Sequence, residues 1–228
     1  MRRPQFENGE IYHVYNRGVE KRKIFLEDKD YFRFIHDLFE FNDIIPAGKY
    51  YIFGGETSEN IKPRKRDLLI EILSFCLMPN HYHLLLRQLK NNGISKFMQK
   101  LDTGYTMYFN RKNKRVGPLF QGCFKAVLVD NEQHFYHIPY YIHSNPIELI
   151  EAGWKDGIIK NKEKAEKFLE SYKWSSYLDY IGKKNFPSII STKFLSEIWG
   201  NSQKYKLDFK KWLKDFNIVN IREEILEK

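Results

Sequence analysis

The spacing of apolar positions along the chain switches between a period of two and a period near 3.6, and those switches divide it into elements. Ile11 to Arg17 (Ile-Tyr-His-Val-Tyr-Asn-Arg) is β-branched and aromatic and stops at Gly18, which predicts a first strand. Asp28 or Asp30 then opens a helix whose apolar stripe is Tyr31, Phe34, Ile35, Leu38, Phe39 and Phe41. Residues 45–66 carry Pro46, Gly48, Gly54, Gly55 and Pro63 beside a basic cluster of Lys62, Arg64, Lys65 and Arg66, the composition of an exposed excursion. Leu68 to Met78 is almost continuously apolar, Pro79-Asn80 is a turn dipeptide, and His81 to Arg87 reads as the second arm of a hairpin. A helical pattern follows from Asn92 to about Lys112, through Ile94, Phe97, Met98, Leu101, Tyr105, Tyr108 and Phe109, and breaks at Gly117-Pro118. Leu119 to Val129 alternates as a fourth strand. Asp130 with Gln133 resembles a capping box and starts another helix, which Asn145-Pro146 stops.

The order β-α-β-β-α-β-α predicts an α+β fold: a split βαβ arrangement closing into a four-stranded antiparallel sheet, with helices on one face and the other available to a ligand. After residue 160 the chain turns helical and lysine-rich, over Lys160–Lys173, Phe194–Trp199 and Gln203–Phe216. The expected division is a main domain over residues 1–158 and a helical, basic C-terminal extension over 159–228, whose lysines form a solvated surface.

Composition narrows the class of protein. Among 228 residues, 18 Phe, 15 Tyr and 4 Trp supply enough apolar surface for a core, which sets disorder aside. No apolar run approaches the roughly 20 residues of a membrane span, and no apolar stretch follows the first residues as in an export signal. A cytoplasmic protein with no membrane partner is expected. Cys76 and Cys123 lie in strand-like apolar stretches without Cys-x-x-Cys spacing, so both read as small core residues rather than a disulfide or zinc site. The excess of 38 Lys+Arg over 29 Asp+Glu, a net charge of +9, attracts polyanions. Charge alone fits nucleic acid and simple solubility equally well, so the decision falls to a site.

His81-Tyr82-His83 supplies the first part of one. Side chains alternate along a strand, so both imidazoles leave the same face, where they can share a divalent ion. A bare His-x-His is more often one core histidine and one solvated histidine, and a metal needs further ligands. The last predicted helix offers Tyr140 and Tyr141, with Asn145 four residues after the latter and therefore on its face of the helix. A phenol and a carboxamide oxygen in that relation can serve as nucleophile and third ligand. Tyrosine is a weak nucleophile at its ordinary pKa of about 10, so it needs a polarised electrophile held in line. A phosphodiester on a hard cation meets that need.

These blocks carry a family resemblance. Met78-Pro79-Asn80-His81-Tyr82-His83-Leu84-Leu85-Leu86 resembles the histidine block of HUH endonucleases, and Tyr141-Ile142-His143-Ser144-Asn145-Pro146 resembles their tyrosine helix. With Tyr12-His13-Val14-Tyr15-Asn16-Arg17-Gly18, Phe120-Gln121-Gly122-Cys123-Phe124-Lys125 and Trp174-Ser175-Ser176-Tyr177, the chain is similar over residues 10–180 to REP-associated tyrosine transposases, relatives of the IS200-like single-tyrosine enzymes. The resemblance implies a ferredoxin-like core and metal-dependent cleavage of single-stranded DNA beside a hairpin, leaving a 5′-phosphotyrosine and a free 3′-OH. It implies Tyr141 as nucleophile, with Tyr140 the alternative, and His81, His83 and Asn145 as ligands of Mg²⁺ or Mn²⁺. Pro139, two residues before Tyr141, is a potential kink. By alternation Arg87 shares the histidine face, and Arg17, Arg87 and Lys125 are candidate phosphate contacts, with Arg111, Lys112 and Arg115 as less specific ones. His13 and His143 either line the site or pack. Relatives include dimers, so a homodimer is one expectation. The competing reading is a non-catalytic module that holds single-stranded nucleic acid on the sheet, with Phe120 and Phe124 as stacking platforms. A replication-initiator type of HUH protein is disfavoured by the absence of a helicase-sized region.

Overall fold

A computed structural model describes residues 4–45 and 66–214. Four strands, β1 (Ile11–Arg17), β2 (Ile70–Met78), β3 (His81–Gln88) and β4 (Lys125–Leu128), form one antiparallel sheet in the order β2-β3-β1-β4. With α1 (Asp28–Glu40) between β1 and β2 and α2 (Gly93–Lys112) between β3 and β4, this is the expected ferredoxin-like βαββαβ arrangement. The helix α3 (Glu132–Ser144) follows.

Local chemistry fixes the strand ends that matter. Met78 pairs with His81 across the two-residue turn Pro79-Asn80. The turn carbonyls are satisfied by the β1–α1 connection: Pro79 O accepts from Ile24 N (2.8 Å), and Asn80 O from Gly18 N (2.8 Å). Gly18 has no room for a side chain, because a Cβ would run into the Arg22 carbonyl. α1 begins at Asp28 behind a capping box in which Glu27 is the N-cap and Asp30 closes the ring. Burial works to raise the Asp30 carboxyl, but hydrogen bonds from Lys112, the Leu26 amide and Tyr108 more than offset it and hold the group below its usual range.

The two sheet faces carry different layers. Tyr82, on one face, packs on Phe34 of α1 with ring centroids at 5.1 Å and donates from its hydroxyl to Asp102 of α2 (2.7 Å). α1 and α2 therefore cover that face as expected. His83 points the other way, where Tyr141 of α3 approaches it. The face expected to lie open is thus roofed in part by α3, and both His81 and His83 are buried.

Two boundaries differ from the sequence reading. β4 is confined to Lys125–Leu128, because the preceding residues form a loop with positive φ at Gly117 (87°) and Gly122 (114°). Phe120 keeps only an isolated bridge to Gly18. The N-cap of α3 is Asn131, whose side chain accepts from His134 N (2.7 Å), rather than Asp130 with Gln133. α3 runs through Pro139 as one helix. Cys76 is buried as expected, whereas Cys123 lies in the exposed loop before β4.

The segment after residue 159 contains α4 (Lys162–Leu169), α5 (Tyr177–Tyr180), α6 (Thr192–Trp199) and α7 (Ser202–Lys214). It docks on the outer edge of β2: Leu77 N donates to Trp174 O (2.9 Å), Ser176 N to Phe75 O (3.0 Å) and Ser191 N to Ile72 O (2.9 Å). Several of its lysines are paired rather than merely solvated, Lys206 with Glu170 (2.6 Å) and Lys210 with Glu166 (2.5 Å), which ties α7 to α4. Of the excursion expected over 45–66, all but the ends, including Lys62, Arg64 and Lys65, lies outside the described residues. Arg66 packs its guanidinium over the Phe39 ring at 3.9 Å and donates to Asn42 O (3.0 Å). Among the described residues no helix is long and apolar enough to cross a membrane.

Candidate active site

His81 and His83 share a face of β3, and the register sets Arg17 opposite His81 and Tyr15 opposite His83. Each imidazole is held at Nδ1. His81 Nδ1 lies 2.6 Å from Asn80 Oδ1, and because the Asn80 amide nitrogen donates to Lys21 O (3.3 Å), the histidine is the donor in this pair. That tautomer puts the lone pair on His81 Nε2. His83 Nδ1 meets Nε2 of His13 at 2.9 Å.

Tyr141 stands edge-on to both rings of that pair, 5.8 Å from His83 at an interplanar angle of 85° and 6.0 Å from His13 at 80°. Trp154 stacks behind it at 5.8 Å and 23°. One helical turn on, Asn145 donates from its amide nitrogen to Tyr141 O (2.9 Å), which fixes the orientation of the carboxamide. Its Oδ1 is buried and accepts no hydrogen bond from the described residues. A buried carbonyl oxygen without a donor is costly, and a cation relieves that cost. Two imidazoles and one amide oxygen are donor types that suit Mn²⁺ or Mg²⁺ completed by water or phosphate oxygens. Among the described residues no cluster of three His, Cys, Asp or Glu side chains is able to hold a metal, so a metal here would need a ligand of another kind, such as the Asn145 amide oxygen.

Tyr140 and His143, neighbours of the nucleophile candidate, face elsewhere. Tyr140 lies among Tyr205 (5.2 Å), Phe209 (5.7 Å) and Trp212 (5.7 Å), where burial pushes its phenol well above the usual range. His143 is clamped between Tyr205 Oη (2.7 Å) and Ser176 Oγ (2.8 Å), and burial depresses its pKa to about 3, so it is a neutral packing residue.

The candidate cations separate into two groups. Arg17 and Lys125 line a cavity of about 150 Å³ together with Tyr15, His81 and Gln121. The structure does not bring the others to the imidazoles. Arg87, although on the histidine face, is paired with Glu71 (2.9 Å) and lies over the Phe194 ring at 4.7 Å. Lys112 is held by Glu27 (2.8 Å) and Asp30 at the start of α1. Arg115 braces its own loop through Asn110 Oδ1 (2.6 Å) and Pro118 O (2.7 Å). Arg111 is exposed in the last turn of α2, the helix on the opposite sheet face. Phe120 and Phe124, the stacking platforms of the competing reading, are each only 6% exposed and pack on Tyr82 and Phe6.

Two residues of this assembly were not assigned from sequence. From sequence His13 is ambiguous, because its partner depends on the register of β1 against β3. Trp154 carried no signal, since only the fold brings it behind Tyr141.

Residues 53–145, less than half of the chain, match the family described as Transposase IS200 like. This segment is IS200-transposase-like. The matched segment contains His81, His83, Tyr141 and Asn145, so the resemblance read from the residues holds where the candidate chemistry lies. A solved structure described as a REP-associated tyrosine transposase bound to a REP hairpin is similar at 12% identity and a TM-score of 0.48, over 84% of this chain and 90% of that one. No curated protein matches the chain.

Proposed function

We propose that the IS200-transposase-like segment makes this protein a metal-dependent nicking and joining enzyme for single-stranded DNA. Tyr141 is its nucleophile, and a hairpin beside the cleaved bond is its recognition element. The observation that carries the reading is the Tyr141 ring standing against His83, with the unbonded Asn145 oxygen one turn away. His81 Nε2, His83 Nε2 and Asn145 Oδ1 would hold Mg²⁺ or Mn²⁺, which supplies charge neutralisation at the non-bridging phosphate oxygens. Arg17 and Lys125, beside His81, hold the neighbouring phosphates. The Tyr141 oxygen attacks phosphorus, the bond to the 3′-oxygen breaks, the phenol gives up its proton, and the departing oxygen gains one. The products are a 5′-phosphotyrosine and a free 3′-OH. Attack by a 3′-OH on the phosphotyrosine reverses the step and joins strands.

At 2% exposure Tyr141 is beneath the surface, so this chemistry requires its phenol to become accessible when DNA binds. The test is denaturing electrophoresis of the protein with end-labelled single-stranded hairpin oligonucleotides, in Mn²⁺, Mg²⁺ or EDTA. A covalent band is expected for wild type and Tyr140→Phe, and is expected to vanish in Tyr141→Phe and in EDTA. An adduct that survives Tyr141→Phe, or tight binding with no adduct in any metal, overturns the proposal; the second result favours the non-catalytic module.

A further inference from the structure

His13 lies outside the segment matched by the transposase family and is completely buried on the central strand β1. An imidazole in that position is costly unless its ring nitrogens are bonded. Its Nε2 faces Nδ1 of His83 at 2.9 Å, with the two rings only 17° from coplanar and their centroids 5.1 Å apart. A centroid separation so much longer than the nitrogen separation means that the rings meet edge to edge in one plane, with the two nitrogens between the centroids. This is the geometry of a direct N–H···N hydrogen bond, not of a stack.

We propose that His13 is a positioning residue: it accepts the Nδ1 proton of His83, fixes that ring with Nε2 as the metal-facing atom, and so completes the flat surface against which Tyr141 stands. The inference rests on the metal reading above. A neutral imidazole carries one N–H and one lone pair, so a bond between two neutral rings needs one of them to donate. If His83 is to ligate through Nε2, its proton must sit on Nδ1, and His13 Nε2 is the atom placed to accept it. A metal-ligating histidine normally donates its second N–H to a carboxylate, a backbone carbonyl or water, and that partner governs ring orientation and metal affinity. His81 follows the pattern through Asn80 Oδ1. In His83 the same office falls to another imidazole. Tyr141 touches both rings of the pair at nearly the same angle, so rotating His83 would also move the surface under the phenol.

The experiment measures Mn²⁺ binding to the full chain by electron paramagnetic resonance of the free ion, in wild type, His83→Ala, His13→Phe and His13→Gln. Phe keeps a ring of similar shape against Tyr141 but has no acceptor, whereas Gln puts an amide oxygen near the place of Nε2. Loss of the acceptor in His13→Phe is expected to weaken Mn²⁺ binding about 10–100-fold. His13→Gln is expected to restore most of that loss, a rescue that a purely packing role would not produce. Wild-type affinity in His13→Phe, with weakened binding in His83→Ala, overturns the role of His13 alone. Equal affinity in wild type and His83→Ala overturns the metal reading and this inference with it. Should His13→Phe fail to fold, the nitrogen resonances of metal-free wild type decide the matter: His83 protonated at Nδ1 supports the inference, and protonation at Nε2 overturns it.

Discussion

Successive residues of β3 belong to two different environments. Tyr82, Leu84 and Leu86 enter the layer between the sheet and helices α1 and α2, while His81 and His83 enter the layer beneath α3; all are buried. On the first face the polar atoms close on one another. Asp102 accepts from Tyr82 Oη (2.7 Å) and Asn16 Nδ2 (3.1 Å), and Asn16 also donates to Gly122 O (3.2 Å). On the second face the imidazoles are braced sideways, by Asn80 and His13, and the Asn145 oxygen accepts nothing from the described residues. Equal burial therefore serves two ends. One face directs its hydrogen bonds to cohesion, and the other, on the function proposed above, holds donor atoms in fixed directions for a cation.

If the faces are separable in this way, substitutions on the Tyr82 face should lower stability without changing cleavage per folded molecule. The largest effect is expected for Leu84→Ala, which opens a cavity under the sheet and costs about 2–5 kcal/mol in urea denaturation. A matching loss of covalent adduct per folded molecule would break the distinction. Tyr82→Phe comes next, at about 1–3 kcal/mol, because it leaves a buried carboxylate oxygen without its donor. The smallest effect is a pH dependence. Burial pushes Asp102 up to about 6, although hydrogen bonds from Tyr82 and Asn16 work against the rise. A carboxyl with a folded pKa above its ordinary value near 3.9 binds its proton more tightly in the folded state. Its stabilising contribution is therefore fully present below about pH 4 and is lost as pH rises through about 6. Asp102→Asn should flatten the fall in melting temperature between those values, and an unchanged slope would show that this carboxyl does not titrate with folding.

Much of the sheet could be read in the sequence because its determinants are local. The β-branched and aromatic run Ile11–Arg17, stopped by Gly18, predicts the observed last residue of β1, and Pro79-Asn80 locates the hairpin, whose alternation puts His81 and His83 on one face. The relation of Tyr141 to Asn145 followed from helical spacing. What could not be read depends on pairings between distant segments. The bond between His13 and His83 needs the register of two strands 70 residues apart. Arg87 has the right alternation, but Glu71 on the neighbouring strand and Phe194 far along the chain claim it. The choice between Tyr140 and Tyr141 likewise becomes plain only when α7 supplies Tyr205, Phe209 and Trp212 as the partners of Tyr140.

The docking of residues 174–191 on β2 also sets an order of events in folding. Phe75 waits for Ser176, 101 residues later, to satisfy its amide through the serine hydroxyl, and Leu73 waits for Tyr180, 107 residues later, to occupy its carbonyl. During synthesis β2 can pair with β3 early, through a two-residue turn, but its outer edge stays open while that whole length of chain emerges. Truncation before residue 174 would thus leave an apolar strand with an unprotected rim, the kind of surface that recruits other chains. Residues 174–191 act as a late-arriving guard on the sheet that carries the histidines.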